Sequence, residues 1–321
     1  MGDAGQSGPS RRGERQFDVV GFGEPMVEFS QLPGRTDHYL HGFGGDTMNA
    51  VIAARRQGAR VAYFTRLGDD EFGRQVRELL ARERVDDRFV ATDADAPTAV
   101  YFVTHGPAGH VFSYRRAGSA ASRMRPTDVT PACLEEARFF HTSGITQAIS
   151  ASACDAVFAA IELAKALSVK VAYDSNLRLK LWPLARARAV IAATAALADY
   201  FLPSLEDAEV LSGLSDPDAI VDWALRLGAK HVALKLGPAG VIAADAGGRI
   251  RVAGHVIQFV DATGAGDCFA GSLLARLAAG EDFRAACTYA NAAAALTCEG
   301  YGAVAPLPRP EAVRALLDRA G

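Results

Sequence analysis

Late in the chain, Gly264-Ala265-Gly266-Asp267 stands between a strand-like run, Val256 to Val260, and a helical pattern that carries Phe269, Leu273, Leu274 and Leu277 on one face. Amides at a helix start lack intrahelical acceptors and lie at the positive end of the helix dipole. They therefore attract anions. Glycines at 264 and 266 let the backbone approach a phosphate closely, and a carboxylate at Asp267 stays ionised in the first turn. Such donors beside a carboxylate spread the charge of a migrating phosphoryl group and accept a proton from an attacking hydroxyl. Base catalysis of this kind is worth about 10²–10⁴ in rate. On these four residues alone, a tight turn with a helix-capping Asp is an equally good reading.

Hydrophobic patterning supplies the elements that would hold this centre. Phe17 to Gly23 reads as a buried strand ending in glycines. Gly44-Gly45-Asp46-Thr47 opens a helix through Met48, Val51, Ile52 and Ala53 to a stop at Gly58, with Asp46 or Thr47 available as the cap. A strand at Val61 to Leu67 follows, and strands near Phe139–His141, Val169–Asp174, Tyr200–Leu202 and His231–Leu236 alternate with Ala- and Leu-rich helices. This alternation predicts an α/β fold with a mostly parallel sheet covered on both faces. Around His105-Gly106-Pro107-Ala108-Gly109 the pattern becomes a hairpin, so the segments near 26–43 and 86–116 are expected to form a small lid. A further helix is expected over roughly Phe283 to Thr297.

Composition narrows the partners. The 321 residues are 50% hydrophobic with a formal net charge of −3, which gives no basic field for nucleic acid and points to a small molecule. No apolar run approaches the ~18–20 residues of a membrane span, and the five cysteines fall in no metal-ligand spacing. They read as idle thiols of a reducing cytoplasm. Met1 to Gln16 is rich in Gly, Ser and Arg without an apolar core, and is expected to be a disordered tail ahead of a domain spanning 17–321. No Gly-x-x-x-x-Gly-Lys-Ser/Thr loop occurs, and Gly21-Phe22-Gly23 meets Met26 where a dinucleotide fingerprint needs glycine.

The longer string Val260-Asp261-Ala262-Thr263-Gly264-Ala265-Gly266-Asp267-Cys268-Phe269-Ala270-Gly271 resembles the second signature of the ribokinase-like (PfkB) carbohydrate kinases. Gly44-Gly45-Asp46-Thr47-Met48-Asn49 resembles the family's N-terminal di-glycine signature. The resemblance runs from Gly23-Glu24 to Pro308 and implies a three-layer α/β/α fold with a small β lid. It also implies that Asp267 is the base, that Gly264, Ala265 and Gly266 form the anion hole, and that Gly44 and Gly45 hinge the lid while Asn49 meets the sugar. ATP and Mg²⁺ are the implied cofactors, with a monovalent cation required in some relatives.

Within the family, Gly-Gly-Asp-Thr-Met-Asn, Tyr114-Arg115-Arg116-Ala117-Gly118-Ser119-Ala120-Ala121 and Asp174-Ser175-Asn176-Leu177-Arg178-Leu179-Lys180-Leu181-Trp182 are similar to the 2-keto-3-deoxygluconate kinases. By that resemblance Tyr101, Tyr114, Arg116 and Arg178 hold a sugar acid. The chemistry agrees, because a guanidinium fork matches a carboxylate that neutral sugars lack.

On the nucleotide side the resemblance implies Asn176, Ser204, Lys235, Gly237, Gly240 and Asn291. Lys235 either neutralises phosphate or stands in solvent at a strand end, and Asn291 either lies near the adenine or is simply solvated. Ser204 and Asp207 depart from the family's Asn-x-x-Glu element, and Asp207 would act on Mg²⁺ through water. Other acceptors within the family, and a non-catalytic sugar-acid sensor, are the competing readings. Exposed strand edges in the hairpin lid suggest a homodimer.

Overall fold

The computed structural model describes residues 15–32, 34–35, 37–106 and 109–320. Residues 1–14 of the expected tail and the hairpin tip at 107–108 lie outside the described residues. Arg15 already donates to the Leu167 carbonyl at 2.9 Å.

Among the described residues thirteen strands form two sheets. They are β1 (Phe17–Phe22), β2 (Met26–Gln31), β3 (Tyr39–Gly44), β4 (Val61–Gly68), β5 (Asp86–Asp93), β6 (Ala99–Gly106), β7 (Gly109–Arg115), β8 (Ala137–Ser143), β9 (Lys170–Asp174), β10 (Tyr200–Phe201), β11 (His231–Lys235), β12 (Val241–Asp245) and β13 (Gly248–Val252). Nine make the main sheet in the order β13-β12-β11-β10-β9-β8-β1-β4-β5, parallel except that β12 runs against both neighbours. Central strands buried on both faces read as continuous apolar runs, as Phe17 to Phe22 does, because helices cover the sheet on each side.

The other four strands form a separate sheet, β3-β2-β6-β7, joined by a parallel pairing of β2 with β6. The lid expected over 86–116 is thus shorter than its sequence suggested. Residues 86–93 are β5, which pairs with β4 at the edge of the main sheet, and the excursion begins at Ala99.

Two local expectations fail. Val256 to Val260 is not a strand: Val256 is fully exposed and Phe259 is 68% exposed, and the amides of Val260 and Asp261 donate to the Cys298 carbonyl instead of to a sheet neighbour. Neither Asp46 nor Thr47 caps the helix Asp46–Arg56. Its N-cap is Gly45, with no side-chain hydrogen bond, and both candidates are used elsewhere. Thr47 bonds the buried Tyr63 hydroxyl at 2.8 Å, and Asp46 faces the cleft described below. The helix over Phe283–Thr297 and the one over Ala265–Ala278 stand where the periodicity puts them.

In an open parallel sheet the ligand crevice lies beyond the carboxyl ends of the strands. Those ends carry Glu24 after β1, Asp174 on β9, Ser204 after β10 and Lys235 on β11.

Candidate active site

A cleft of about 1090 Å³ opens at these strand ends between the main sheet and the lid. The helix Ala265–Ala278 points its N-terminus into it, with Gly264 as the N-cap. Gly264 has φ +80, and a Cβ there would stand 2.9 Å from the Ala303 carbonyl oxygen, so this turn accepts only glycine without strain. Upstream, Asp261 accepts from the Thr263 amide and hydroxyl with one oxygen and from the Gly302 amide with the other. That clamp fixes the turn, and within it the Ala265 amide donates to the Ala262 carbonyl at 3.1 Å, so of the three residues implied for the anion hole Ala265 has its amide already engaged, while Gly264 and Gly266 line the cleft beside it.

Asp267 lies in the first helical turn, half-buried at the cleft floor. Its carboxyl group is ringed by protein, and this loss of water, with the charges of Asp46 and Asp174, pushes its pKa up to about 7 against the opposing Asn49 hydrogen bond and Lys235 charge. A carboxylate tuned to neutrality suits a general base. Asn49 donates to Asp267 Oδ2 at 2.8 Å, and its own Oδ1 is buried with no hydrogen-bond partner among the described residues. A buried acceptor left open costs free energy unless a ligand donor fills it.

The four-stranded sheet supplies the opposite wall. Tyr101, buried on β6, donates its hydroxyl to the Glu28 carboxylate, and Tyr114 on β7 stacks on it with ring centroids 5.7 Å apart. Gly44 ends β3 against this pair: a Cβ there would fall 2.4 Å from the Tyr101 hydroxyl. Gly45 follows at the lid–helix junction and lines the cleft.

The two predicted arginines differ. Arg116 is buried over the Tyr114 ring, with Nη2 2.5 Å from Oε2 of the wholly buried Glu24, an ionic contact without hydrogen-bond alignment. Its Nε likewise has no acceptor among the described residues. Glu24 is held further by the Ser119 hydroxyl, and burial raises its pKa despite Arg116. Arg178 is exposed at the cleft and donates to its neighbour's carbonyl, Leu177 O, at 2.8 Å.

On the nucleotide side the structure revises several roles. Lys235 does not stand in solvent: it is 14% exposed and bonds Asp174 Oδ2 at 2.5 Å. Ser204 caps the helix Leu205–Ser212 by accepting from the Asp207 amide, so its hydroxyl is already engaged. Asp207 Oδ2 accepts from the Ser175 hydroxyl at 2.8 Å and the Leu177 amide at 2.9 Å, tying the 175–177 loop, and burial raises its pKa. Asn291 is buried rather than solvated and donates to the Ala253 carbonyl at 2.8 Å, anchoring the loop that carries His255 and Val256 over the cleft. Gly237 and Gly240 frame the short 3₁₀ turn after β11 and line the same cleft. Asn176, at φ +30, donates to Asp46 Oδ2 at 3.0 Å.

Three residues escaped the sequence reading. The sequence offers Asp46 as a cap and a member of the di-glycine string, Asp174 as a strand end that opens the 174–182 string, and Glu24 as the beginning of the resemblance, and assigns none of them a role in the site. Their shared signal is a carboxylate at or just beyond a strand or loop end that feeds the crevice.

Among the described residues no group of three or more His, Cys, Asp or Glu side chains is placed to cage a metal ion. Asp207 and the exposed Glu206 both line the cleft, and their carboxylates would hold a hydrated magnesium ion through its waters, where it would supply charge neutralisation for phosphate.

Residues 16–310 match the pfkB family carbohydrate kinase. The chain is 34% identical over 313 residues to a 2-dehydro-3-deoxygluconokinase of Thermoproteus tenax, covering 95% of each protein. It is 31% identical to the probable fructokinase-7 of Arabidopsis thaliana, covering 94% of this chain and 92% of that one. A putative ribokinase II of E. coli, solved in complex with ATP and Mg²⁺, superposes with a TM-score of 0.86 at 26% identity, covering 94% of this chain and 99% of that one. The ribokinase-like α/β architecture, the cleft and its signature residues thus coincide with the match along nearly the whole length, and the chain belongs to the pfkB family of carbohydrate kinases, phosphotransferases that act on an alcohol group.

Proposed function

We propose that the chain phosphorylates the terminal hydroxyl of 2-keto-3-deoxygluconate from ATP, giving 2-keto-3-deoxy-6-phosphogluconate. The observation that carries this reading is that Arg116 and Arg178 both line the cleft that has Asp267 at its floor. The Arg178 guanidinium, with no carboxylate partner among the described residues, and the open Nε of Arg116, whose charge is shared with Glu24, suit an acceptor with a carboxylate and offer a neutral sugar little.

In this reading Asn49 orients Asp267, and its open Oδ1 takes a hydroxyl hydrogen of the sugar. Asp267 removes the proton from the terminal hydroxyl as that oxygen bonds to the γ-phosphorus and the bond to the β,γ-bridging oxygen breaks. The amides of Gly264 and Gly266 donate to the oxygens on which charge collects. Magnesium-bound ATP, when present, supplies the phosphoryl group and part of the charge neutralisation. Lys235 adds a positive charge at the same corner, while Gly237, Gly240 and the loop held by Asn291 border the nucleotide.

The lid, Ala99–Arg115 with β2 and β3, excludes water over the sugar. Its outer strands β3 and β7 expose Leu40 and Val111, which favours a second copy pairing edge to edge. No described helix is long and apolar enough to cross a membrane, and a cytoplasmic, ATP-fed enzyme is the setting this reading calls for.

Purified protein offered ATP and a panel of 2-keto-3-deoxygluconate, 2-keto-3-deoxygalactonate, fructose, ribose and nucleosides tests the assignment. Highest kcat/KM on 2-keto-3-deoxygluconate is expected. A preference for a neutral sugar refutes the sugar-acid reading while leaving the kinase class intact.

A further inference from the structure

Asp174 ends β9 almost fully buried, and both of its carboxylate oxygens are occupied. Oδ2 accepts from Lys235 Nζ at 2.5 Å, and Oδ1 accepts from the Asn176 amide at 3.1 Å. Lys235 ends β11, with β10 lying between the two strands, so the pair bridges carboxyl ends across the crevice. The ammonium also faces the anion hole: a Cβ built on Gly266 would stand 3.3 Å from Lys235 Nζ.

A buried ion pair is a poor device for stability, because desolvating both charges offsets most of their attraction. Such a pair at strand ends, open to the cleft and touching the phosphate-binding turn, is explained better by what it positions. Lysine carries its charge on a flexible four-carbon stem, and among the described residues it is Asp174 that holds the Lys235 Nζ in place. The same carboxylate also fixes Asn176, whose amide group donates to Asp46 on the sugar side at 3.0 Å.

We propose that Asp174 is a positioning residue for phosphoryl transfer: it holds the Lys235 ammonium against the Gly264–Gly266 turn and yields it to the phosphoryl oxygens when nucleotide binds. The proposal rests on the reading of Lys235 as a phosphate ligand. Exchange of one anionic partner for another keeps the ammonium paired throughout, so its charge is never left bare in a largely dry site.

Steady-state kinetics of Lys235→Met, Asp174→Asn and the double variant, with whichever acceptor the panel selects, separate the two ideas. Each single change is expected to lower kcat by about tenfold or more with the acceptor KM within about twofold, and the double variant should be no worse than Lys235→Met. Wild-type kinetics in Lys235→Met defeat the lysine reading itself. An impaired Lys235→Met with a wild-type Asp174→Asn, or losses that multiply in the double variant, overturn the role of Asp174 alone.

If Asp174→Asn does not fold, lysine side-chain ¹⁵N NMR on the wild-type protein decides. The Lys235 ammonium resonance, assigned with Lys235→Arg, should shift on saturation with Mg²⁺ and a non-hydrolysable ATP analogue and stay put with acceptor alone. A resonance unmoved by the nucleotide analogue overturns the exchange of partners.

Discussion

Asn49 Nδ2 lies 2.8 Å from Asp267 Oδ2, so one residue from the first turn of the helix Asp46–Arg56 holds the carboxylate that begins the helix Ala265–Ala278. Asn49 stabilises the charged form of Asp267, while burial and the carboxylates of Asp46 and Asp174 oppose it and leave the pKa at about 7. A base must be unprotonated to act. The free enzyme's kcat/KM should therefore rise with pH, bend near 7 and level off above it. A profile already flat from pH 5.5 upward would contradict this tuning.

Asp267→Asn keeps the shape of the side chain and removes the base. A loss of about 10²–10⁴ in kcat is expected, with sugar binding by calorimetry near wild type. Turnover within about tenfold of wild type would take the role of base away from Asp267.

The same residue carries a cost in stability whose sign follows from linkage. Its folded-state pKa, about 7, lies above the ordinary 3.8, so the folded chain binds this proton more tightly than the unfolded chain. Stability contributed by the site is full below the unfolded value and is lost as pH rises through about 7. Asp267→Asn should therefore melt higher than wild type at pH 8, with the gain shrinking toward pH 5. Each kcal/mol recovered moves Tm by about 2–4 °C in a domain of this order of size. Equal melting temperatures at both pH values would show that the carboxyl is not destabilised by its surroundings.

Much of this architecture was legible in the sequence because local physics agreed with tertiary need. The apolar run at Phe17 to Phe22, the helix Phe283–Thr297 and the glycine turn at 264 each follow from periodicity or backbone conformation. Asp86 to Asp93 escaped because a strand at a sheet edge carries the same mixed pattern as a lid strand. Val256 to Val260 looked like a strand for its β-branched and aromatic residues, yet Val256 and Phe259 point into open space at the cleft, where no pairing partner exists among the described residues. Partner choice was least legible. That Lys235 meets Asp174 and Arg116 meets Glu24 depends on which strand ends lie side by side, and strand order is not written in spacing.

Arg178 and Arg116 should separate in mutational effect. Arg178 is exposed at the cleft with no carboxylate partner among the described residues, so Arg178→Ala should fold normally and raise KM for an acid acceptor. A charge-assisted hydrogen bond of about 1.5–3 kcal/mol corresponds to a tenfold or larger rise. Arg116→Ala strands Glu24, which is wholly buried, and should lower Tm as well as activity. Thermal melts beside acceptor titrations distinguish the two, and an unchanged KM in Arg178→Ala removes that residue from the acid site.

The Asn49 contact makes the last prediction. Because its hydrogen bond favours the ionised carboxyl, Asn49→Ala should raise the pKa of Asp267 further and move the acidic limb of the pH–rate profile upward. Loss of the open Oδ1 should at the same time raise KM for the sugar. The two effects are read separately, since the limb comes from the pH dependence of kcat/KM and KM from acceptor titration at a pH above the bend. Asn49→Asp serves as the contrasting variant: a second negative charge beside Asp267 repels its ionised form and should push the limb higher still. An acidic limb that stays where the wild type has it in both variants would mean that the 2.8 Å contact does not govern protonation of the base, and that burial of Asp267 beside the charges of Asp46 and Asp174 sets it instead.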